Sequence, residues 1–262
     1  MLFRLSSPAL IVLLAVVIAG SALLGLLLGR SRREHHHGLR ESSGVIQGAL
    51  LGFMGLVLAF GLSLALGRYQ DRRAAVVDDA NTIGTTYLRA QTLAEPMRDQ
   101  SLSLLTAYTD EELRLTDEMP GSDAADATIA RASALQRQLW ALAGQAVTTE
   151  PTASAPRLYE ESLNEMIDQQ TVRVAGLNNR VPTEVLLLEV LGAAGAMFLV
   201  GLHVGLLGRS LTPLLLASGL VTFLLFVTFD LDRPTRGFIE VPDAPLAALR
   251  ASMDEPPAYE PP

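Results

Sequence analysis

The sequence contains no cysteine and no lysine, and only 5% of its residues are aromatic. The absence of cysteine excludes disulfide bonds, thiolate catalysis and cysteine-ligated metal sites. Arginine is the only strongly basic residue, and the formal net charge is −8 at pH 7. Because nucleic-acid binding needs clustered cations that neutralise phosphates, this acidic balance argues against a nucleic-acid partner.

Sequence motifs for catalysis and cofactor binding are also missing. The chain has no G-x-S-x-G, no phosphate-binding glycine loop and no spaced set of histidine and glutamate ligands. Three adjacent histidines lie at residues 35–37 in a polar loop, whereas typical metal sites use spaced ligands. The sequence therefore predicts no enzyme, no metal site and no cofactor.

Long apolar runs, in contrast, are abundant. Hydrophobic residues make up 49% of the chain, and four runs are long enough to cross a bilayer, which needs roughly 20 apolar residues. The predicted spans are residues 9–28, 45–66, 185–207 and 211–229. The first span exceeds the apolar core of a signal peptide, about 7–15 residues, so we predict a retained transmembrane helix.

The polar region between the second and third spans has helical periodicity, with breaks at Pro96, at Gly121 and before Pro182. Ser122 or Asp123 can cap a helix. We predict an all-α membrane protein with four transmembrane helices and a helical bundle between the second and third. The predicted domains are a first transmembrane hairpin (1–67), the bundle (68–182), a second hairpin (183–229), a juxtamembrane segment (230–253) and a disordered, acidic, proline-rich tail (254–262).

The distribution of arginine predicts the orientation. With four spans, the bundle and both termini share one side of the membrane. The arginines near the span ends on that side are Arg4, Arg68, Arg72, Arg73, Arg173, Arg180, Arg233 and Arg236, against Arg30, Arg32, Arg33, Arg40 and Arg209 opposite. The positive-inside rule favours a cytoplasmic bundle. The Ala- and Leu-rich, lysine-free composition is typical of a GC-rich bacterial genome, so with the four spans we predict a bacterial inner-membrane protein.

The second span carries two patterns. Gly48, Gly52, Gly55, Ala59 and Ser63 recur at three- and four-residue steps and predict a face of small residues, for close helix packing or for lining a pore. The second pattern is a pair of aromatic residues, Phe53 and Phe60, which are seven residues apart and therefore lie on one side of a helix. Such a pair is typical of lipid contacts or of a hydrophobic gate.

The helix that leaves the second span, residues 68–90, is amphipathic. Its apolar face is predicted to pack on the bundle. Its polar face is predicted either to be solvated or to continue an aqueous path, where Asp78 and Asp79 could bind a cation. The EF-hand spacing of calcium ligands is absent.

Charged residues recur where the fourth span ends. Asp230, Asp232, Arg233 and Arg236 mark the water boundary. We predict that they meet the helix after the second span and form a charged juxtamembrane collar, made up of Arg72, Arg73, Asp78, Asp79, Asp230, Asp232, Arg233 and Arg236.

Glu189 is an intramembrane ionisable residue, and such residues are functional candidates. Together with His203 it could form a proton or ion route. The favoured interpretation is instead that both side chains reach water at an interface.

Three stretches resemble the bestrophin-like proteins, a family of bacterial membrane proteins. "GRYQDRRAAVVDDANTIGTTYLRA" is similar to a family run ending "EANAIGTAYLRA", and "DLDRPTRGFIEV" is similar to "DLDRPRRGLIRV". "LNEMIDQQTVRVAGLNNRVP" resembles the family's stretch before the third span. The resemblance covers most of residues 45–246.

The resemblance implies an analogy with bestrophins, which are pentameric anion channels with four membrane helices and a helical cytosolic part. By that analogy, Gly52, Gly55, Phe53 and Phe60 would lie near a pore axis. The first hypothesis is an oligomeric ion channel, most plausibly for anions. The alternatives are a non-conducting scaffold or regulatory subunit that binds a protein partner, and a proton-coupled transporter built around Glu189. The expected partners are the lipid bilayer, other copies of the chain and ions.

Overall fold

All regular structure in the described residues is α-helical, which confirms the predicted fold class. The computed structural model describes residues 6–32, 39–208, 210–233, 235 and 237–259. In chain order the helices are α1 (Ser7–Ser31), α2 (Leu39–Ala90), α3 (Met97–Asp117), α4 (Asp123–Thr149), α5 (Ser154–Asn178), α6 (Thr183–Leu207), α7 (Thr212–Leu231) and α8 (Ala244–Ser252).

Four of the described helical segments are long and apolar enough to cross a membrane. They are Ser7–Ser31, Gln47–Ala90, Ser154–Leu207 and Thr212–Leu231, and the apolar part of the third belongs to α6. This confirms the prediction of four transmembrane helices.

The chain divides into two compact units. The first contains Met1–Arg68 and Arg180–Ile239 and is called the membrane unit below. The second contains Tyr69–Asn179 and Glu240–Pro262 and is called the helical unit. Helix α2 is continuous through residue 68, so its apolar first part belongs to the membrane unit and its polar last part to the helical unit.

Glycines bring α1 and α6 together in the membrane unit. A Cβ atom on Gly201 would lie 1.9 Å from the carbonyl oxygen of Ala22, and one on Gly25 would lie 2.0 Å from that of Phe198. Gly29 and Gly205 continue the contact, with added Cβ atoms 2.2 and 2.4 Å from backbone oxygens of the facing helix. Only residues without a side chain allow two helices to approach this closely. Helix α1 also packs on α7.

The helical unit has its own apolar core. Leu105, Leu139, Tyr159, Leu163 and Met166 are fully buried in it. The predicted cap is confirmed at Ser122, whose Oγ accepts a hydrogen bond from Ala125 N at 3.2 Å, at the start of α4. Helix α8 was not predicted from the sequence, and it buries Leu246 in this core.

Candidate functional site

The apolar part of α2 has one face that packs inside the membrane unit. Met54, Leu58, Gly61 and Ala65 are buried and follow three- and four-residue steps. This stripe is narrow. In the apolar 18-residue stretch of α2, only 22% is buried within the chain, whereas 44% of the corresponding stretch of α7 is buried. Most of the α2 surface is therefore left for lipid, for another protein chain or for water.

The predicted face of small residues lies outside that stripe. Gly48, Gly52, Gly55, Ala59 and Ser63 are all exposed. A Cβ atom added to any of the three glycines would meet no heavy atom of the described residues within 4 Å. The small face is therefore not used for packing within the membrane unit.

Phe53 and Phe60 form a third face of α2. Both are exposed, at 58% and 63%. At about 100° per residue, this aromatic face is turned about 110° from the small face. The two faces therefore cannot both point directly at one axis.

Glu189 on α6 is completely buried, with 0% exposure. Neither carboxylate oxygen has a hydrogen-bond partner among the described residues. A Cβ atom on Gly61 would lie 1.3 Å from Oε1 of Glu189, so the carboxyl occupies the space that a side chain at residue 61 would need. The expectation that Glu189 reaches water at an interface is wrong, because α2 covers it. His203 is half-buried.

A buried ionic cluster joins three helices of the helical unit. Arg173 on α5 donates a hydrogen bond from Nη1 to Oδ2 of Asp79 on α2, at 2.9 Å. The same nitrogen donates to Oε2 of Glu112 on α3. Its Nη2 donates to the backbone oxygen of Glu112 at 3.0 Å and to Oγ1 of Thr116 at 2.9 Å. All three charged side chains are at most 2% exposed.

Two glutamines extend this cluster towards α4. Gln170 donates to Oε1 of Glu112 at 2.6 Å, and Gln136 donates to Oε1 of Gln170 at 2.7 Å. Gln136 also lies 3.4 Å from the hydroxyl of Tyr108. The helical unit therefore has a polar network through its interior that links α2, α3, α4 and α5.

Burial changes the acidity of this cluster. Asp79 lies in the helical unit, beyond the apolar run of α2 that ends at Leu66. Burial first, and then the charge of Glu112, raise the pKa of Asp79 from 3.8 to about 7, although Arg173 lowers it. Burial also raises the pKa of Tyr108 well above 10.0, and the charges of Glu112 and Asp79 add to the effect.

The remaining predicted residues of α2 differ in environment. Arg72 is buried and donates to the backbone oxygens of Gly176 and Asn179, at 3.2 and 2.9 Å, so it binds the C-terminal carbonyls of α5. Arg73 and Asp78 are exposed. Because Asp78 is exposed and Asp79 is buried, the two carboxylates do not share a cation site.

The acidic residues at the C-terminal end of α7 bind backbone amides. Oδ2 of Asp230 accepts hydrogen bonds from Phe238 N and Ile239 N, at 2.8 and 2.9 Å. Asp232 accepts from Val181 N at 3.0 and 3.2 Å. A Cβ on Gly237 would lie 2.9 Å from Oδ2 of Asp230, so the turn needs a residue without a side chain there. Arg233 is buried, and Arg236 lies outside the described residues.

Sequence reasoning missed most of the buried cluster. Arg173 and Glu112 are 61 residues apart, and Arg173 and Asp79 are 94 apart, so no local spacing reveals the partners. One signal was present. Asp79 occupies the helical stripe of Val76, Ala80 and Ile83, and a charge at an apolar position indicates a buried partner.

No group of three or more His, Asp or Glu side chains that could hold a metal is found in the part of the chain that the structure describes. The histidines at 35–37 lie outside the described residues.

The chain is similar to a known family and to solved structures. The family model of the bestrophin-like domain matches residues 9–246. Two crystal structures of a bacterial bestrophin homologue from Klebsiella pneumoniae, each with one substitution, align with TM-scores of 0.66 at 15% identity, and cover 90% of this chain and 97% of that chain. At this identity the likeness establishes the fold alone. Among curated proteins, none matches this sequence.

Proposed function

The chain belongs to the bestrophin-like family, and on that premise we propose that it is an oligomeric ion channel, most plausibly for anions, in a bacterial inner membrane. The small face of α2 lines the ion path. The anion preference rests on the analogy with bestrophins. The proposal also has the helical unit and both termini in the cytoplasm, because the arginine count favours that side.

The observation that carries this proposal is the open space around the small face. In an α-helix each glycine costs about 1 kcal/mol relative to alanine. Gly25, Gly29, Gly201 and Gly205 offset that cost by letting α1 and α6 pack closely, whereas Cβ atoms added to Gly48, Gly52 and Gly55 would meet nothing within 4 Å among the described residues. A helix that faces only lipid gains nothing from three glycines. The small face therefore fits a place where space is needed, such as a water-filled path between several copies of α2.

An oligomer follows from the same face. A single α2 cannot enclose a path, whereas a closed ring of identical chains places the same face of every copy around one axis. In that arrangement the first charged side chain after the apolar segment is Arg68, which suits an anion better than a cation. Phe53 and Phe60 would then face a neighbouring chain or lipid, and their predicted role as a gate remains a prediction.

Flux through liposomes tests the proposal. We expect purified full-length protein to conduct chloride down a gradient. Gly55→Trp should reduce that flux at least tenfold because it fills the small face. Leu188→Trp is the matched control, since Leu188 is an exposed residue of α6, and it should leave the flux within about twofold. If no flux is found under chloride, potassium or sodium gradients, the channel proposal is wrong and the non-conducting scaffold or regulatory subunit is favoured.

Burial of Glu189 favours one second candidate, a proton-coupled transporter. A buried carboxyl without hydrogen-bond partners, inside a membrane span, is typical of proton and ion routes. The same vesicles distinguish the two functions. Flux that requires a proton gradient and disappears in Glu189→Gln indicates the transporter, and flux that needs neither the gradient nor Glu189 indicates the channel.

A further inference from the structure

The charges of the buried ionic cluster do not balance. Two carboxylates, Asp79 and Glu112, converge on one nitrogen of Arg173, and none of the three side chains is more than 2% exposed. One guanidinium neutralises one carboxylate. If both acids were ionised, the interior of the helical unit would hold an uncompensated negative charge, which is strongly unfavourable away from water.

Unused hydrogen-bonding atoms lie in the same place. Oδ1 of Asp79 and Nε of Arg173 are buried and have no hydrogen-bond partner among the described residues. Both oxygens of Glu112, in contrast, accept hydrogen bonds, Oε1 from Gln170 and Oε2 from Arg173. Glu112 is therefore the better stabilised anion, and Asp79 is the carboxyl with room for a proton.

We propose that Asp79 and Glu112 form a proton-binding site on Arg173, in which one proton is bound mainly to Asp79 and its release leaves a buried negative charge between α2, α3 and α5. The ligand is a proton, because the charge to be cancelled is a single one and the geometry offers a single unpartnered carboxylate oxygen. When the proton leaves, repulsion between the two carboxylates weakens the contact of α2 with α3.

The surroundings contain few other groups that titrate. On α3, burial and the charges of both carboxylates raise the pKa of Tyr108 well above 10.0, so its hydroxyl stays neutral. From α4 the facing side chain is the uncharged Gln136. On α2 itself, Arg72 is two turns before Asp79 and binds carbonyls at the end of α5. Glu111 points elsewhere, towards Arg114 and Arg131. The raised pKa of Asp79, about 7, agrees with this arrangement.

Infrared titration of the full-length protein in lipid nanodiscs tests the site. The protein is prepared with isotope-labelled aspartate, so that carboxylic-acid bands of Asp are separated from those of Glu. We expect one labelled acid band to persist above pH 5 and to disappear around pH 7. That band should be absent in Asp79→Asn. In Glu112→Gln it should disappear at a pH about one unit lower or more, because the neighbouring negative charge has gone.

The wild-type titration needs no variant to fold, so it can overturn the proposal alone. If every aspartate band disappears by about pH 5, as for exposed carboxyls, no proton is bound at the cluster. A persistent band that survives in folded Asp79→Asn, or does not shift in folded Glu112→Gln, also overturns it. None of these readings depends on conduction, so failure here is distinct from failure of the channel proposal.

The pH dependence of thermal stability tests the proton-binding site independently. Since the pKa of Asp79 in the folded chain lies above its ordinary value of 3.8, the folded state holds the proton longer than the unfolded state. The contribution of Asp79 to stability is then fully present below about pH 4 and is lost as the pH rises to about 7. We expect the thermal midpoint of wild type to fall over this range relative to that of Asp79→Asn, and parallel curves would contradict the site.

Discussion

Gly201→Ala is expected to lower the free energy of unfolding of the membrane unit by about 3 kcal/mol, the upper part of the range for overpacked sites. Its new Cβ atom would lie 1.9 Å from the carbonyl oxygen of Ala22. That atom belongs to the backbone of α1, so no side-chain rotation relieves the overlap and the two helices must move apart. The close contacts that Gly25 and Gly29 of α1 make with the backbone of α6 would then be lost as well.

Two other glycines on the same helices provide matched controls. A Cβ atom on Gly195 of α6, or on Gly20 of α1, meets nothing within 4 Å. Both alanine variants should be neutral or slightly stabilising, because alanine is favoured over glycine in helices by about 1 kcal/mol. Unfolding in mixed micelles with increasing detergent denaturant measures all three. Equal stabilities for Gly201→Ala and Gly195→Ala would contradict the packing of α1 on α6.

Arg173→Met is expected to destabilise the helical unit by about 4 kcal/mol, because removing one partner of a buried ion pair leaves charges uncompensated. Arg131→Met is the control. Arg131 also binds a glutamate, Glu111, at 2.8 Å, but its side chain is 48% exposed. Exposed pairs contribute about 1 kcal/mol or less. The chain has a single tryptophan, Trp140 on α4, so fluorescence reports unfolding of the helical unit specifically.

A double variant separates the charge from the packing of Arg173. Adding Glu112→Gln to Arg173→Met removes the stranded carboxylate, because Asp79 holds the proton, and should restore part of the lost stability. If the double variant is no more stable than Arg173→Met, the loss comes from the missing hydrogen bonds and volume instead of from buried charge.

The spans and the order of helices could be predicted because they follow from length and periodicity. Predicted spans 9–28 and 185–207 lie within α1 (Ser7–Ser31) and α6 (Thr183–Leu207). The run of apolar residues is a local property, and so is the cap at Ser122. Helix α8 was missed because Ala244–Ser252 is only nine residues long and its proline at the start resembles a loop.

Helix contacts and side-chain burial that depend on residues far apart in the chain could not be predicted. Spacing predicts a small face on the second span, whereas Gly25, Gly29, Gly201 and Gly205 on α1 and α6 make the close contact. The two sets look alike in sequence, since spacing shows that a face is small but not what lies opposite. The burial of Glu189 has the same origin, because it depends on the space at Gly61. The sequence predicts Asp79 in the charged juxtamembrane collar, because its partner Arg173 is 94 residues away and no local spacing shows it.

Cysteine accessibility along α2 tests the central claim, that its small face lines a water-filled path. Because the chain has no cysteine, single cysteines can be introduced at Gly52, Gly55 and Ala59, with Met54 and Leu58 as buried controls and Phe53, on the aromatic face, as an exposed apolar control. A charged, membrane-impermeant thiol reagent applied to protein in liposomes should modify the three small-face positions and block flux, and should leave the controls unmodified. Modification at Phe53 as fast as at Gly55, or no reaction at Gly52, Gly55 and Ala59, would contradict the account.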